Sequence, residues 1–272
     1  MKGNQPVSLH PLLRHLFQHL LQRIKYMPML PSTFTDELLA PKYIIWMLQG
    51  LGTTIVLTIV AGIIATLLGF ILAAARTSRH KAVAWPALAY NSLFRNTPLL
   101  VQLLFWYFGV PSAFPDGWME WLNSAHSVQL LGLITLSWPS YEFLSAVVGL
   151  TLYSAAFISE EIRSGIRGVA TGQSNAGLAL GLTQLQTTRF IILPQALRIA
   201  FLPLLGQYMN LLKNTSLAMA IGLAELSYTS RQVEAETFRT FQAFGVATIL
   251  YILVIAVIEA FGYWRTHRQQ RV

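Results

Sequence analysis

Polar and charged side chains interrupt the apolar segments of this chain at a few positions, and their types suit reversible, non-covalent recognition rather than bond-making. Lys213, Asn214, Thr215 and Ser216 break an apolar run that resumes at Leu217. Charge or amide groups at bilayer depth are costly, so they face a cavity or a partner. A helix broken at this cluster, with its ends turned to a ligand, accounts for the pattern; so does a Lys213 that reaches to the membrane surface. Glu160, one turn before Arg163, has three readings: it offers a carboxylate to a ligand ammonium, pairs within its own helix, or makes a gate contact with another helix. As an exposed ion pair it is worth only ~0.3–0.5 kcal/mol. Gln102, one turn past Pro98, both donates and accepts, toward a ligand or across a helix interface. Thr54 and Thr58 belong to a stripe with Gly50, Gly62 and Thr66. Their hydroxyls either face a path or bond the carbonyl one turn earlier.

Reactive constellations are missing. No GxxxxGK[ST] phosphate loop occurs, so the chain does not bind ATP by that means. There is no HExxH, and the six histidines are scattered, His15 and His19 sharing a helix face without a third ligand. With no cysteine, a disulfide frame, a thiol nucleophile and a thiolate metal site are excluded. Metal and catalytic residues are therefore expected to be none.

The elements that position these groups are membrane spans. The 272 residues are 54% hydrophobic and 11% charged, against about 25% charged in soluble domains. Crossing a bilayer takes ~20 mostly apolar residues, which predicts spans over 44–75, 93–110, 141–158, 191–212 and 241–264. The net charge of +8 reads as the basic cytoplasmic side of a membrane protein rather than a nucleic-acid surface. Arg76, Arg79, Lys81 and Arg95 follow the first span; Arg163, Arg167 and Arg189 follow the third; Arg265, Arg268 and Arg271 end the chain. The connection 111–140 has no Lys or Arg and carries Asp116, Glu120, Trp118, Trp121 and Trp138, as an outer loop does. These biases put the N terminus outside and the C terminus in the cytoplasm. Lys2, Arg14, Arg23, Lys25 and Lys42 pull the other way, in a segment whose 10–27 run has the helical spacing of an amphipathic interfacial helix. The expected organisation is an interfacial segment over 1–42, a transmembrane domain over 43–265 and a tail over 266–272. In the first span Ala61, Ala65, Gly69 and Ala73 recur every four residues, a stripe that lets another helix approach closely.

Four motifs carry a family resemblance. Asn175-Ala176-Gly177 is followed by Gly181 and by Ile191-x-Leu193-Pro194; this spacing resembles the cytoplasmic loop signature of permeases of binding-protein-dependent ATP-binding-cassette importers. Arg95 to Gln102, Tyr153 to Glu160 with Ile162-Arg163, and Asn210 to Leu217 resemble segments of the polar amino acid branch. The resemblance implies an all-α integral membrane protein of about five transmembrane helices with a cytoplasmic coupling helix within about 160–194, the type I importer permease architecture, in a bacterial cytoplasmic (inner) membrane. It implies import of polar amino acids, with candidate pathway residues Thr54, Thr58, Gln102, Tyr153, Glu160, Asn210, Lys213, Asn214, Thr215 and Ser216. Coupling falls to Asn175, Ala176, Gly177, Leu180, Gly181 and Pro194. Gly181 permits the turn between two short helices, Pro194 suits the start of the next one, and Ala176, Leu178, Ala179 and Leu180 form an apolar face for a partner groove. The implied partners are ATPase subunits, which bind ATP and Mg while this chain binds no cofactor, a second permease subunit and an extracytoplasmic amino-acid-binding protein, with membrane lipid around them and no nucleic acid. The family's usual Glu is Asn175 here, which favours a heterodimer with a more regular permease over a homodimer. A passive channel subunit and a membrane-embedded enzyme are the alternatives.

Overall fold

The computed structural model describes residues 39–115, 117–124, 127–130, 134–137 and 139–269. The amphipathic helix expected over 10–27, and nearly all of the 1–42 segment, lie outside these residues. The main body begins at Pro41.

Helix α1, Pro41–Thr77, is the first span. A second helix, α2, covers Lys81–Asn96. The run Leu99–Ala113 is then helical in three registers, α3 over Leu99–Leu104, a π turn over Phe105–Gly109 and a 3-10 turn over Pro111–Ala113. The expected span over 93–110 is therefore broken at its start. Pro98 drives Thr97 into an extended conformation, φ −110° and ψ 138°, because its ring clashes with a helical neighbour. The apolar run that remains is too short, at about 1.5 Å per residue, to cross ~30 Å of hydrocarbon alone. Next come α4, Trp118–Asn123, and a hairpin of β1, Ser127–Leu130, with β2, Ile134–Ser137, Val128 opposite Leu136. This hairpin, in a connection expected to be a plain loop, is the one departure from an all-α chain among the described residues.

The remaining helices are α5, Tyr141–Gly168; α6, Thr171–Ala179; α7, Gln184–Thr187; α8, Leu193–Asn214; α9, Leu226–Thr237; and α10, Thr240–Gln269. Four helical stretches are long and apolar enough to cross a membrane: 41–77, 141–168, 184–221 and 240–266. The most apolar window of α5 is 56% buried and that of α1 33%, against 11% in the other two, so α5 is the central post.

Small residues bring α1 against α5. Ala61, Ala65, Gly69 and Ala73 are all buried, and a Cβ on Gly69 would stand 2.7 Å from Ile158 Cγ2. The expected stripe does pack a helix. One core gathers Leu57, Leu103, Leu150, Leu211 and Ala218; another gathers Leu72, Ala155, Ile158 and Ile162. Ile59, Ile63, Leu67 and Ile71 on α1, with Ile249, Ile252 and Val257 on α10, remain exposed and suit hydrocarbon or a partner helix. Further down, α5 meets α8 at Gly165, where a Cβ would stand 2.5 Å from the carbonyl oxygen of Ala196. Backbone cannot yield as a side chain does, so Gly165→Leu is expected to push α8 away. Overpacking costs about 1–3 kcal/mol or more, and a Tm lower by several degrees for the purified protein is the check; an unchanged Tm contradicts the close approach.

Candidate functional site

The connection from α5 to α8 is a built device. Helix α6 ends with Gly181 left-handed, φ +83°. There the Leu182 N–H donates to Gly177 O at 3.2 Å and the Gly181 N–H to Leu178 O at 3.0 Å, a Schellman closure that needs glycine. Two residues later Thr183 caps α7: its Oγ1 accepts from the Gln186 N–H at 3.3 Å, and Gln186 Oε1 accepts from the Thr183 N–H at 2.8 Å. Reciprocal capping of this kind sets the direction of the helix that follows. Gly177 is buried against that helix, where a Cβ would stand 2.7 Å from Thr187 Cγ2. Ala176, Ala179 and Asn175 are exposed, as are Leu178 at 46%, Leu180 at 80% and Leu185 at 78%. The hook thus offers an apolar surface with nothing on it among the described residues.

Helix α7 does not stop before α8. A π turn over Thr188–Ile192 joins them, the Leu193 N–H donating to Thr188 O. The fourth span consequently starts at residue 184 rather than 191. Pro194 sits in the first turn of α8, as expected, but well inside a continuous helical run.

The expected break at Lys213 to Ser216 takes a milder form. Helix α8 tightens into a 3-10 turn over Thr215–Ile221 and ends at Gly222, φ +84°. Thr215 Oγ1 donates to Leu212 O and Ser216 Oγ to Lys213 O, each at 2.7 Å. These hydroxyls are committed to their own helix, and the backbone never opens into two facing ends. Asn210 and Lys213 are exposed and Asn214 is half-buried. At spacings of three and four they share one face, and none of the three side chains has a hydrogen bond or ion pair among the described residues.

Other expected site residues make contacts within the chain. Thr58 Oγ1 donates to Thr54 O at 2.7 Å. Gln102 Nε2 donates to Thr97 Oγ1 at 2.6 Å, Thr97 O at 3.1 Å and Phe94 O at 3.0 Å. It closes the carbonyls that Pro98 leaves open, while its Oε1 stays buried without a partner. Glu160 Oε1 receives Arg76 at 2.6 Å and Asn91 Nδ2 at 2.9 Å, and its Oε2 receives Arg163 at 3.3 Å. That carboxylate ties α1, α2 and α5 together. The Tyr153 ring lies 4.8 Å from that of Phe157, tilted by 42°, and packs on the core that holds Leu211 and Ala218. Glu160 lies further along α5.

Thr54 has a partner the sequence reading did not foresee. Glu225, fully buried, caps α9: its Oε1 accepts from the Tyr228 N–H at 2.7 Å, and its Oε2 from Tyr251 OH at 3.0 Å and Thr54 Oγ1 at 3.5 Å. The Leu226 N–H donates to Thr54 Oγ1 at 3.2 Å. Burial pushes the Glu225 carboxyl up from the ordinary range, while the amides of Ser227 and Tyr228 and both hydroxyls pull it down. The signal in the sequence is an acid three residues past a turn glycine, immediately before a helical run.

Residues 65–269 match the family described as "Binding-protein-dependent transport system inner membrane component". The chain is 33% identical over 217 residues to the glutamate/aspartate import permease protein GltJ of Escherichia coli strain K12, covering 79% of this chain and 84% of GltJ. It is 31% identical over 217 residues to the arginine transport system permease protein ArtQ of Bacillus subtilis strain 168, covering 80% and 89%. A crystal structure of an amino acid ABC transporter with histidines superposes with a TM-score of 0.71 at 26% identity, covering 88% of this chain and 100% of that one. The architecture is that of type I ABC importer permeases. This membrane-embedded chain belongs to the family of inner membrane components of binding-protein-dependent transport systems.

Proposed function

We propose that the chain is the permease subunit of an ATP-driven importer that carries polar amino acids across a bacterial cytoplasmic membrane. One observation carries the reading: the α6–Gly181–α7 hook, fixed at both ends, leaves Leu178, Leu180 and Leu185 uncovered. A surface so rigidly held and so apolar suits insertion into a partner groove, and the partner assigned to it is an ATPase subunit that binds ATP and Mg. The relatives GltJ and ArtQ, by their names, serve glutamate/aspartate and arginine; they support an amino acid cargo and leave its charge open. A second permease subunit completes the pathway, a heterodimer being favoured by Asn175, and a soluble binding protein delivers the cargo. ATP binding closes the ATPase pair, and the hooks turn that closure into outward opening, a shift between two states of the same assembly. Reconstitution with the ATPase and the binding protein tests the function: amino acid uptake must depend on ATP, and uptake without ATP would point to a passive channel instead.

The charge bias supports a cytoplasmic hook and C terminus. A cysteine placed at Asn123, in a chain with none of its own, is expected to react with an impermeant thiol reagent from outside, and one at Gln269 is not. The reverse pattern would invert the assigned orientation.

The face of Asn210, Lys213 and Asn214 supports a substrate path, since three polar groups without partners are out of place on a lipid-facing helix. Asn214 both donates to a carboxylate and accepts from an ammonium. Asn214→Leu keeps the bulk and removes both abilities. Losing a hydrogen bond to a charged group costs about 1.5–3 kcal/mol, so the KM for uptake is expected to rise about tenfold or more. Reduced yield of the complex with an unchanged KM would make Asn214 structural.

A further inference from the structure

Helices α9 and α10 run back from the 237–240 turn with a cleft of about 480 Å³ between them. Its α9 wall is a single stripe, Ser227, Ser230, Arg231 and Glu234, spaced three, one and three residues apart and so on one face. The α10 wall presents Thr240, Thr248 and Tyr251 beside Phe244 and Ala247. Two antiparallel helices of a membrane protein ordinarily meet through small or apolar side chains; these two pack together, with Val233, Ala243 and Ala247 buried, yet along part of their seam they turn hydroxyls and charges toward a cleft.

The deep end is closed. Tyr251 OH lies 3.2 Å from Ser227 Oγ and donates to Glu225 Oε2 at 3.0 Å, so the floor is anchored to the fully buried cap of α9. Toward the turn, Thr240 Oγ1 donates to Glu234 Oε1 at 3.3 Å, which orients the Glu234 carboxylate. Arg231, one helical turn from Glu234 on the same wall, forms no ion pair with it, and no described residue takes its guanidinium. The cleft therefore holds one positive and one negative group, side by side and unspent on each other.

We propose that this cleft binds a free α-amino acid, with its carboxylate on the Arg231 guanidinium and its ammonium on the Glu234 carboxylate. The guanidinium fork matches a carboxylate with two parallel hydrogen bonds. A ligand bearing only one charge leaves the opposite wall charge unmatched, which selects for a zwitterion. The hydroxyls of Ser227, Thr248 and Tyr251 then face the ligand's side chain, an environment suited to polar side chains. Met219, in the 3-10 turn that follows the Asn210–Asn214 face, also lines the cleft, so the site lies next along the chain after that face. The site rests on the amino acid cargo proposed above.

The test uses the whole complex, purified with its ATPase and second permease, and radiolabelled L-glutamate, L-glutamine and L-arginine as probes in equilibrium binding and in uptake. Arg231→Gln and Glu234→Gln are each expected to weaken binding of the preferred probe, and to raise its KM, at least tenfold in complexes of normal subunit composition. Arg231→Lys, which keeps the charge and loses the fork, is expected to fall between. Wild-type affinity and KM in both Gln variants overturn the cleft as a site and leave the transport function standing. Loss of the second permease from the Arg231→Gln complex overturns it as well, by making the cleft a protein interface. A wild-type complex that neither binds nor carries any of the three probes overturns the cargo, and the site with it.

Discussion

Placing an aspartate at Leu180 is expected to strip the ATPase subunits from the purified complex and to abolish ATP-dependent uptake, with the permease itself still folded. Leu180 is 80% exposed, so the substitution removes no internal packing. Its whole effect falls on whatever the hook enters. An unpaired carboxylate carried into an apolar groove must be desolvated without compensation, and truncation of a central interface anchor already costs 2 kcal/mol or more, roughly 30-fold in affinity. Gly181→Val reaches the same end by another route. At φ +83° a β-branched residue pays about 1–2 kcal/mol in strain or abandons the left-handed turn, and the Schellman closure and the entry into α7 go with it. Leu180→Asp is thus a contact variant and Gly181→Val a geometry variant. Both are read by the ATPase retained on tagged permease and by uptake. Full retention and normal uptake in both would remove the hook from the coupling path.

The hook was legible because its glycine and its small and apolar residues mark a turn and a face directly; the Thr183–Gln186 cap was not read from the sequence and came from the structure. The α1–α5 seam was legible for a similar reason: a four-residue period of Ala and Gly is visible without knowing its partner. Residues 93–110 misled because hydropathy averages across Pro98, whose effect is on the backbone of Thr97. The π turn at 188–192 leaves no side-chain pattern, since it changes which carbonyl each N–H meets and not which residues are apolar. Thr215 and Ser216 looked like ligand groups because their hydroxyls' commitment to carbonyls three residues back depends on the tightening of the helix, which composition does not reveal. Glu225 fell between the expected spans, in a stretch to which no element had been assigned. Arg231 and Glu234 were overlooked likewise; only the return of α10 alongside α9 makes their stripe the wall of a cleft.

Glu160 is where structural and ligand-binding readings part most sharply. Its carboxylate meets Arg76 from α1, Asn91 from α2 and Arg163 from its own helix, and Asn91 Nδ2 is further held by Ser159 Oγ at 2.8 Å. The side chains of Arg76, Arg163 and Glu160 are only 13%, 16% and 21% exposed. Removing the carboxylate leaves two poorly hydrated guanidinium groups facing each other at the end of α5 that leads into the hook. Breaking a fully buried pair costs 3–5 kcal/mol; with this much water contact, about 2–3 kcal/mol is the expected cost of Glu160→Gln, or a Tm lower by roughly 5–10 °C at 2–4 °C per kcal/mol. Arg76→Met added to Glu160→Gln is expected to recover part of that loss, because it removes one of the two stranded charges. Among the molecules that stay folded the KM for amino acid uptake is expected to be unchanged, since both Glu160 oxygens are engaged by protein groups. A raised KM with an unaltered Tm would instead return Glu160 to the substrate path and take it out of the scaffold.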